Sequence, residues 1–331
     1  MRRFLVFLLM FGLLLVAAAG GWALWWIDQP LKLSRPDIDL VIEKGTLPRR
    51  VAEVVVASGV EADPRLLYAW FRLSGEGRKI KAGNYELEAG LTPRTLLQTL
   101  VRGEEAVRSF TLVEGWTFRQ VIESLSKAEH LRTSGLEPSG DSVMKTLGRP
   151  DISPEGRFFP DTYTYAKGST DLALLARAMR AMDRRLAAAW AQRDSNIAVA
   201  TPEEALILAS IVEKETGRAA DRAQIASVFN NRLRIKMPLQ TDPTVIYGMG
   251  ERFDGNLRKK DLQADTPYNT YTRSGLPPTP IAMPGEASLI AAVRPAESKA
   301  LYFVARGDGS SQFSESLGQH NRAVDKYQRG R

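Results

Sequence analysis

The chain has 331 residues, with no cysteine, two histidines, and 45 Lys and Arg against 38 Asp and Glu. Without cysteine it has no disulfides, no thiolate metal ligands and no cysteine nucleophile. His130 and His320 are too far apart for an HExxH zinc site, and no GxSxG, GxxxxGK[ST] or strand-bound GxGxxG motif is present. Catalysis would therefore use carboxylates, amines or hydroxyls, and neither a metal nor a cofactor is expected. A length of about 150 residues per domain allows about two globular units.

The chain begins with a hydrophobic segment. Arg2 and Arg3 precede an uncharged, mostly apolar run at residues 4–27, which as a helix would span about 36 Å, enough to cross a hydrocarbon core of about 30 Å. We expect residues 1–3 to be a cytoplasmic tail and residues 4–27 an uncleaved transmembrane signal anchor, with the remaining chain outside the cytoplasm. A cleaved signal peptide, cut near the alanines at 17–19, is the alternative.

The net charge is +7, of which Arg2 and Arg3 account for two units, so the exported part carries +5. This charge suits an anionic surface or polymer, although a mildly basic solvated surface explains it equally well. Nucleic acid is not an expected partner, because the compartment is wrong and no basic tract is interleaved with aromatic residues.

Residues 28–38, with Pro30 and Pro36, are typical of a short linker, and residues 39–105 of a small α/β module. Hydrophobic periodicity and helix start signals predict its elements in this order: a strand at 39–42, helices at 47–58 and 65–73, a strand at 81–87 with Tyr85 and Leu87 on one face, and a helix opened by Thr92 and Pro93.

Residues 106–331 form the second, larger unit, with the boundary near Ala106 to Ser109. A strand followed by a helix is predicted from residue 110, a loop-containing connection at 135–151, and a long helix at 171–193. The predicted class is α+β: one transmembrane helix, a small module and a larger mixed α/β domain.

The segment at 201–216 carries the main catalytic candidate. Thr201 and Pro202 are a strong helix start, and Gly217 ends the helix. A spacing of about 100° per residue places Glu215 on the face of the apolar residues and Glu213 on the opposite side. Desolvation raises the pKa of a carboxyl in such a place, as a general acid requires. The alternative is that Glu215 merely pairs with a nearby arginine.

Polar side chains follow in the loops after this helix. Gln240, Asp242, Tyr247, Asn269 and Tyr271 combine aromatic rings, amides and acids with few strong bases. This combination suits a carbohydrate cleft, in which rings stack on sugars and amides bind hydroxyl groups. Each of these residues could equally fix a helix or a turn.

Eight sequence blocks together resemble the endolytic murein (peptidoglycan) transglycosylases, the MltG or YceG-like family. The resemblance covers nearly the whole chain, and the blocks occur in the same order as in that family. The blocks are KAGNY at 81–85, VEGW at 113–116, GRFFPDTY at 156–163, ASIVEKET at 209–216, ASVFNNRL at 226–233, LQTDPTVIYG at 239–248, YNTY at 268–271 and GLPP at 275–278.

The resemblance implies that Glu215 is the catalytic residue and that residues 39–105 are a LysM-like module. It implies cleavage of the bond between N-acetylmuramic acid and N-acetylglucosamine in peptidoglycan glycan strands, with 1,6-anhydro ends and termination of glycan elongation. It also implies a bacterial cytoplasmic (inner) membrane location with the catalytic part on the periplasmic side. Cell-wall synthases (penicillin-binding proteins) are plausible partners. Gln240, Asp242, Tyr247, Asn269 and Tyr271 are then candidate sugar-binding residues.

Two other functions remain open at this point. One is a non-catalytic peptidoglycan-binding scaffold, which would bind glycan without Glu215. The other is a hydrolase in which Asp242 or Asp161 supplies the second carboxylate that glycosidases need, and which would release reducing ends.

Overall fold

The computed structural model describes residues 2–103, 107–135 and 140–330. By its internal contacts the chain divides into two compact units, one formed by the chain up to Arg108 together with Tyr165–Gly168, the other by Ser109–Thr164 and Ser169–Arg331. Both contain helices and short paired strands, which agrees with the α+β class. The expected boundary between residues 105 and 106 lies outside the described residues.

The first helix, α1 (Arg2–Trp26), contains the hydrophobic segment. Its Leu9–Trp26 stretch has a mean hydropathy of 1.7, and none of that stretch is buried. By length and composition it can cross a membrane, because 25 helical residues extend about 37 Å.

The rest of the first unit is a strand–helix–helix–strand arrangement followed by one more helix. Its two longer strands pair antiparallel, from Asp37 opposite Glu88 to Ile42 opposite Gly83. The elements in chain order are β1 (Lys32–Leu33), β2 (Asp37–Ile42), α2 (Pro48–Ala57), β3 (Val60–Glu61), α3 (Pro64–Leu73), β4 (Gly83–Glu88) and α4 (Pro93–Arg102).

The core of this unit follows from the alternation of side chains along a strand. Ile38, Leu40 and Ile42 of β2 are buried, as are Tyr85 and Leu87 of β4. The prediction that Tyr85 and Leu87 share a buried face is therefore confirmed. Helices α2, α3 and α4 cover this face of the sheet with their own apolar residues.

Residues 28–38 pack on the unit instead of forming a free linker. Leu31 is buried in the core, and β1 pairs with β3. The guanidinium of Arg94 donates two hydrogen bonds, of 2.6 and 3.0 Å, to the carboxylate of Asp28. The prolines keep the backbone extended, and an extended backbone with an apolar residue can add to a sheet edge as readily as it can span a gap.

The second unit is mostly helical. Strand β5 pairs with β6, and β7 with β8. The boundary between the units falls within β5 and β6. The elements in chain order are β5 (Val107–Thr111), α5 (Phe118–Ser126), α6 (Asp141–Thr146), β6 (Thr162–Ala166), α7 (Asp171–Ala191), α8 (Pro202–Glu215), α9 (Ala219–Arg234), α10 (Asp242–Met249), α11 (Lys259–Gln263), α12 (Glu286–Val293), β7 (Tyr302–Ala305), β8 (Ser311–Ser314) and α13 (Leu317–Tyr327).

Helix α8 lies at the centre of this unit. Its hydroxyl cap, Thr201, accepts a hydrogen bond from the Glu204 amide, and proline occupies the first turn, as predicted. Every residue at 205–212 is buried, because α7, α9, α10 and α12 pack around the helix. The expected single apolar face is therefore wrong: the helix is buried all round until its last turn.

Residues 135–151, expected to contain a loop, include the short helix α6 with Val143 and Met144 buried. The connection thus contains a short helix that the sequence did not predict, docked by these two apolar residues. Residues 136–139 lie outside the described residues.

Candidate active site

Glu215 is the last residue of α8, where the buried helix emerges from the core. Its carboxylate accepts a hydrogen bond from the hydroxyl of Thr241, which is buried just ahead of α10. The carbonyl groups at the end of a helix carry partial negative charge, which disfavours a nearby carboxylate ion. The fold thus holds this acid at a helix terminus with one hydroxyl partner.

The loop that carries Thr241 is held in an unusual backbone conformation. Gln240 has a φ of +49°, in the left-handed region that non-glycine residues rarely adopt. The backbone N–H of Gln240 donates to the Thr270 carbonyl at 3.0 Å, and the backbone N–H of Thr241 donates to the Thr270 hydroxyl at 3.1 Å. These bonds fix the strained turn, which leaves the Gln240 side chain exposed and the Thr241 hydroxyl directed at Glu215.

Burial raises the pKa of the Glu215 carboxyl above its ordinary value, and the negative charge of Asp242 raises it further. The Thr241 hydrogen bond and the charge of Arg232 act in the opposite direction. Because burial is the largest of these effects, the carboxyl keeps its proton to a higher pH than a solvated glutamate does. Such a group can act as a general acid at a higher pH than a solvated glutamate can.

Asp242 and Tyr271, both candidate sugar-binding residues, lie together beside Glu215. The Tyr271 hydroxyl donates a 2.6 Å hydrogen bond to Asp242. Burial raises the pKa of Tyr271, as do the hydrogen bond to Asp242 and the charges of Asp242 and Glu215. Asp242 itself is exposed.

Arg232 of α9 belongs to this group and was not a candidate from the sequence. It is only 7% exposed, and its charge lowers the pKa of Glu215. The sequence feature that could have indicated Arg232 is its position three residues after Phe229 and directly before Leu233, on an otherwise apolar helix face.

Glu213 has a different environment from Glu215. Its carboxylate accepts hydrogen bonds from the Gly285 amide at 3.0 Å and the Ser288 hydroxyl at 2.7 Å, at the start of α12. Glu114 lies beside Glu213, and its pKa is raised by burial and by the charge of Glu213. Glu213 therefore acts as a helix N-terminal acceptor. The two glutamates of α8 do face different surroundings, although not because one side of the helix is polar.

Tyr247 points to a second buried acid instead of the Glu215 carboxyl. Its hydroxyl donates a 3.1 Å hydrogen bond to Glu155, and its ring packs edge-on against Tyr268. Glu155 is 3% exposed and also accepts from the Phe118 amide. Burial raises the pKa of Glu155 to about 7. Sequence reasoning missed Glu155; its only signal was an acid next to a glycine and an aromatic run.

Asn269 is completely buried, and its side chain is used within its own loop. Its amide nitrogen donates to the carbonyls of Asp261, Leu262 and Ala264, and its amide oxygen accepts from the Tyr271 amide. Because these bonds occupy both ends of a buried amide, Asn269 positions the loop of Tyr271.

Asp161, the other acid considered for a hydrolase, is exposed next to β6. One of its side-chain oxygens accepts a hydrogen bond from the Thr162 amide, and its carbonyl accepts from the Leu112 amide. No described hydrogen bond or ion pair connects it to Glu215.

The site therefore consists of one partly buried, protonatable carboxyl with a hydroxyl partner, flanked by an exposed acid, a tyrosine and a buried arginine. This arrangement can carry out acid–base chemistry with a single carboxyl.

Comparison with known proteins gives the family. The model of the YceG-like family matches residues 40–326, and the chain belongs to this family. The chain is 32% identical over 314 residues to the endolytic murein transglycosylase of Bacillus subtilis (strain 168), covering 89% of this chain and 86% of that protein.

More distant relatives and one solved structure agree. The chain is 25% identical over 364 residues to the endolytic murein transglycosylase of Streptococcus pneumoniae (serotype 2), covering 98% of this chain but only 65% of that longer protein. It is also similar to the crystal structure of a yceG-like protein from Listeria monocytogenes. The TM-score is 0.54 at 29% identity, over 87% of this chain and 99% of that chain.

Proposed function

We propose that this protein is a lytic transglycosylase that cleaves peptidoglycan glycan strands internally, with Glu215 as its catalytic residue. The observation that carries the proposal is the Glu215 carboxyl itself: it stands at the end of a buried helix, its pKa is raised by burial, and its partner is a hydroxyl group instead of a base. The names of the relatives give the substrate class.

The reaction needs only one carboxyl. Glu215, protonated, donates its proton to the oxygen between C1 of N-acetylmuramic acid and C4 of N-acetylglucosamine, and the C1–O bond breaks. The muramic C6 hydroxyl oxygen then bonds to C1, and the Glu215 carboxylate takes the hydroxyl proton. The products are a free C4 hydroxyl on one strand and a 1,6-anhydro ring on the other. Water is not consumed, and the proton of Glu215 is restored.

The surrounding residues support both halves of this cycle. Asp242 and the burial of Glu215 favour the protonated acid, while Thr241 and Arg232 favour the carboxylate that follows. Gln240, exposed on its strained turn, and Tyr271 are the residues we propose to contact sugar.

We also propose that α1 anchors the protein in the bacterial cytoplasmic membrane, with both units outside the cytoplasm. The support is the length and apolar composition of α1, together with the contacts that follow it. Ile27 is buried, and its carbonyl accepts from the Arg94 amide, so the first unit begins directly where the helix ends. An enzyme tied this closely to the bilayer would act on strands near their membrane-bound synthases and end their elongation. The first unit would serve as a LysM-like glycan-binding module.

The test uses the full-length protein in detergent with uncrosslinked glycan strands, beside Glu215→Gln, with products read by mass spectrometry. We expect 1,6-anhydromuramic ends from the wild type and almost none from the variant. Reducing ends without the anhydro form would indicate a hydrolase, in which Asp242 is the second carboxylate. Strands that bind but stay intact in both samples would indicate a scaffold. Either of these results overturns the proposal.

A further inference from the structure

Arg232 is a buried positive charge whose hydrogen bonds all go to neutral main-chain groups. Its Nε donates to the Leu301 carbonyl at 2.7 Å, and one terminal nitrogen donates to the carbonyls of Leu239 at 2.7 Å and Pro238 at 3.4 Å. Within the described part of the chain no carboxylate lies within ion-pair distance of it. Burying a charge without a paired counter-charge is costly, so a role beyond packing is expected.

The groups around the guanidinium come from three other elements. Its central carbon lies 5.3 Å from the centre of the Tyr302 ring of β7, and that ring stacks on His320 of α13. Tyr302, Tyr271 and Glu215 all favour the charged form of Arg232, while burial lowers its pKa. A guanidinium stays protonated in proteins despite such a shift. Of these three groups Glu215 is the one carboxyl.

Arg232 is also connected to Glu215 through the backbone. The carbonyl that it holds belongs to Leu239, two residues before Thr241, whose hydroxyl binds the Glu215 carboxylate. Between them lies Gln240 in its left-handed conformation. The arginine therefore restrains one end of the strained turn that presents the Thr241 hydroxyl, while Thr270 restrains the other.

We propose that Arg232 is a positioning residue for both proton transfers at Glu215: its fixed charge stabilises the carboxylate that exists between them, and its bond to Leu239 holds Thr241 against that carboxylate. The inference rests on the proposed function. When Glu215 is protonated the arginine charge has no anionic partner, and when Glu215 has donated its proton the two charges attract. The attraction is thus strongest in the state in which the C1 centre is most positive and most reactive.

The test is the pH dependence of kcat/KM for full-length Arg232→Gln, Arg232→Lys and wild type on uncrosslinked glycan strands. Activity falls at alkaline pH as Glu215 loses the proton it must donate. Arg232 lowers the pKa of Glu215, so removing its charge moves this fall to higher pH. We expect Arg232→Gln to shift the alkaline limb upward by about one pH unit and to reduce kcat at least about tenfold, with a smaller change in KM. Arg232→Lys keeps the charge, so its limb stays near that of the wild type.

Several titratable groups other than Glu215 also lie in this part of the unit. Asp242 is unchanged in every variant. Burial and the charge of Arg232 both lower the pKa of His320, so the Arg232→Gln change also affects this imidazole, and each profile is measured again in a His320→Gln background. Glu155 titrates near pH 7, but it has no described contact with Arg232 and contributes equally to all profiles. In the His320→Gln background the difference between the Arg232 variants therefore reports Glu215.

Arg234→Gln is the matched control, because it removes a positive charge from the same helix. The exposed Arg234 donates to the Asn231 side chain and the Asn196 carbonyl, away from Glu215. Its pH profile is expected to match the wild type. If Arg232→Gln does not fold, replacement of Arg232 by citrulline, which keeps the N–H donors but has no charge, gives the same measurement.

Equal loss of rate in the glutamine and lysine variants with an unmoved alkaline limb would reduce Arg232 to a structural role and overturn the inference. That result is distinct from failure of the proposed function, in which the wild-type protein itself forms no anhydro product.

Discussion

The hydroxyl of Tyr247 donates a 3.1 Å hydrogen bond to the carboxylate of Glu155, which also accepts from the first amide of α5. Tyr247 belongs to α10, the helix that begins directly after Thr241. This buried contact therefore ties the far end of α10 to the turn before β6, while the near end of α10 follows Thr241, the hydrogen-bond partner of Glu215.

The first prediction concerns the effect of the Glu155 carboxyl on the stability of the protein. The pKa of Glu155 is about 7 in the folded protein against an ordinary 4.5, so the folded state binds this proton more tightly than the unfolded chain. Its contribution to the free energy of unfolding is complete below about pH 4.5, falls as pH rises, and is lost above about pH 7. The change is at most about 3 kcal/mol. Denaturant unfolding between pH 4 and 8 measures it.

Glu155→Gln removes this titration and should flatten the decline in stability between pH 4.5 and 7. Glu123→Gln is the control, because Glu123 is exposed on α5 and its hydrogen bond to Lys127 lowers its pKa. A slope in Glu155→Gln as steep as that of the wild type would contradict the assignment.

The second prediction separates the two glutamates of α8. Glu215→Gln removes the proton donor and should lower kcat by about 10²–10⁴. Glu213→Gln keeps a side-chain oxygen for the Gly285 amide and the Ser288 hydroxyl, so it should retain most activity and lose about 1 kcal/mol of stability. The measurements are anhydro-product formation and unfolding of both variants. Comparable losses of activity in the two would refute the choice of Glu215.

The third prediction concerns Asn269, a candidate from the sequence that is buried in the structure. Asn269→Ala leaves several buried main-chain groups without a partner and should cost about 2–3 kcal/mol of stability. The KM for glycan, measured well below the unfolding midpoint, should change little. A large rise in KM without loss of stability would restore Asn269 as a sugar ligand.

The fourth prediction uses the left-handed backbone of Gln240. Gln240→Gly and Gln240→Ala both remove the side chain, but glycine relieves the strain at φ +49° and alanine does not. We expect the glycine variant to be more stable than the alanine variant by about 1 kcal/mol. If Gln240 binds sugar, both should raise KM by a similar factor. Equal stability of the two variants would show that the turn is not strained.

Local features of the fold could be predicted from the sequence because they depend on neighbouring residues. The hydroxyl–proline starts of α4 and α8 satisfy free amides within one turn, and the alternation of apolar residues in β2 and β4 requires only a period of two. The sequence blocks also identified the family and led to Glu215.

The tertiary structure decided which groups surround that glutamate. Thr241 lies 26 residues beyond Glu215 and Arg232 17 residues beyond it. Glu155, 60 residues before Glu215, contacts Tyr247 instead. No local pattern predicts these contacts, because they arise only when α8 is enclosed by helices on all sides.

The sequence by itself thus determined the helix starts at Thr92 and Thr201, the apolar N-terminal segment and the residue types available for chemistry, since each depends on local propensity and composition. Only the tertiary structure decided that Asn269 fixes a loop, that Glu213 accepts hydrogen bonds at the start of α12, and that Glu215 meets a hydroxyl group. The physical reason is that the pKa and reactivity of a carboxyl depend on its desolvation and its neighbours in space, which distant parts of the chain supply.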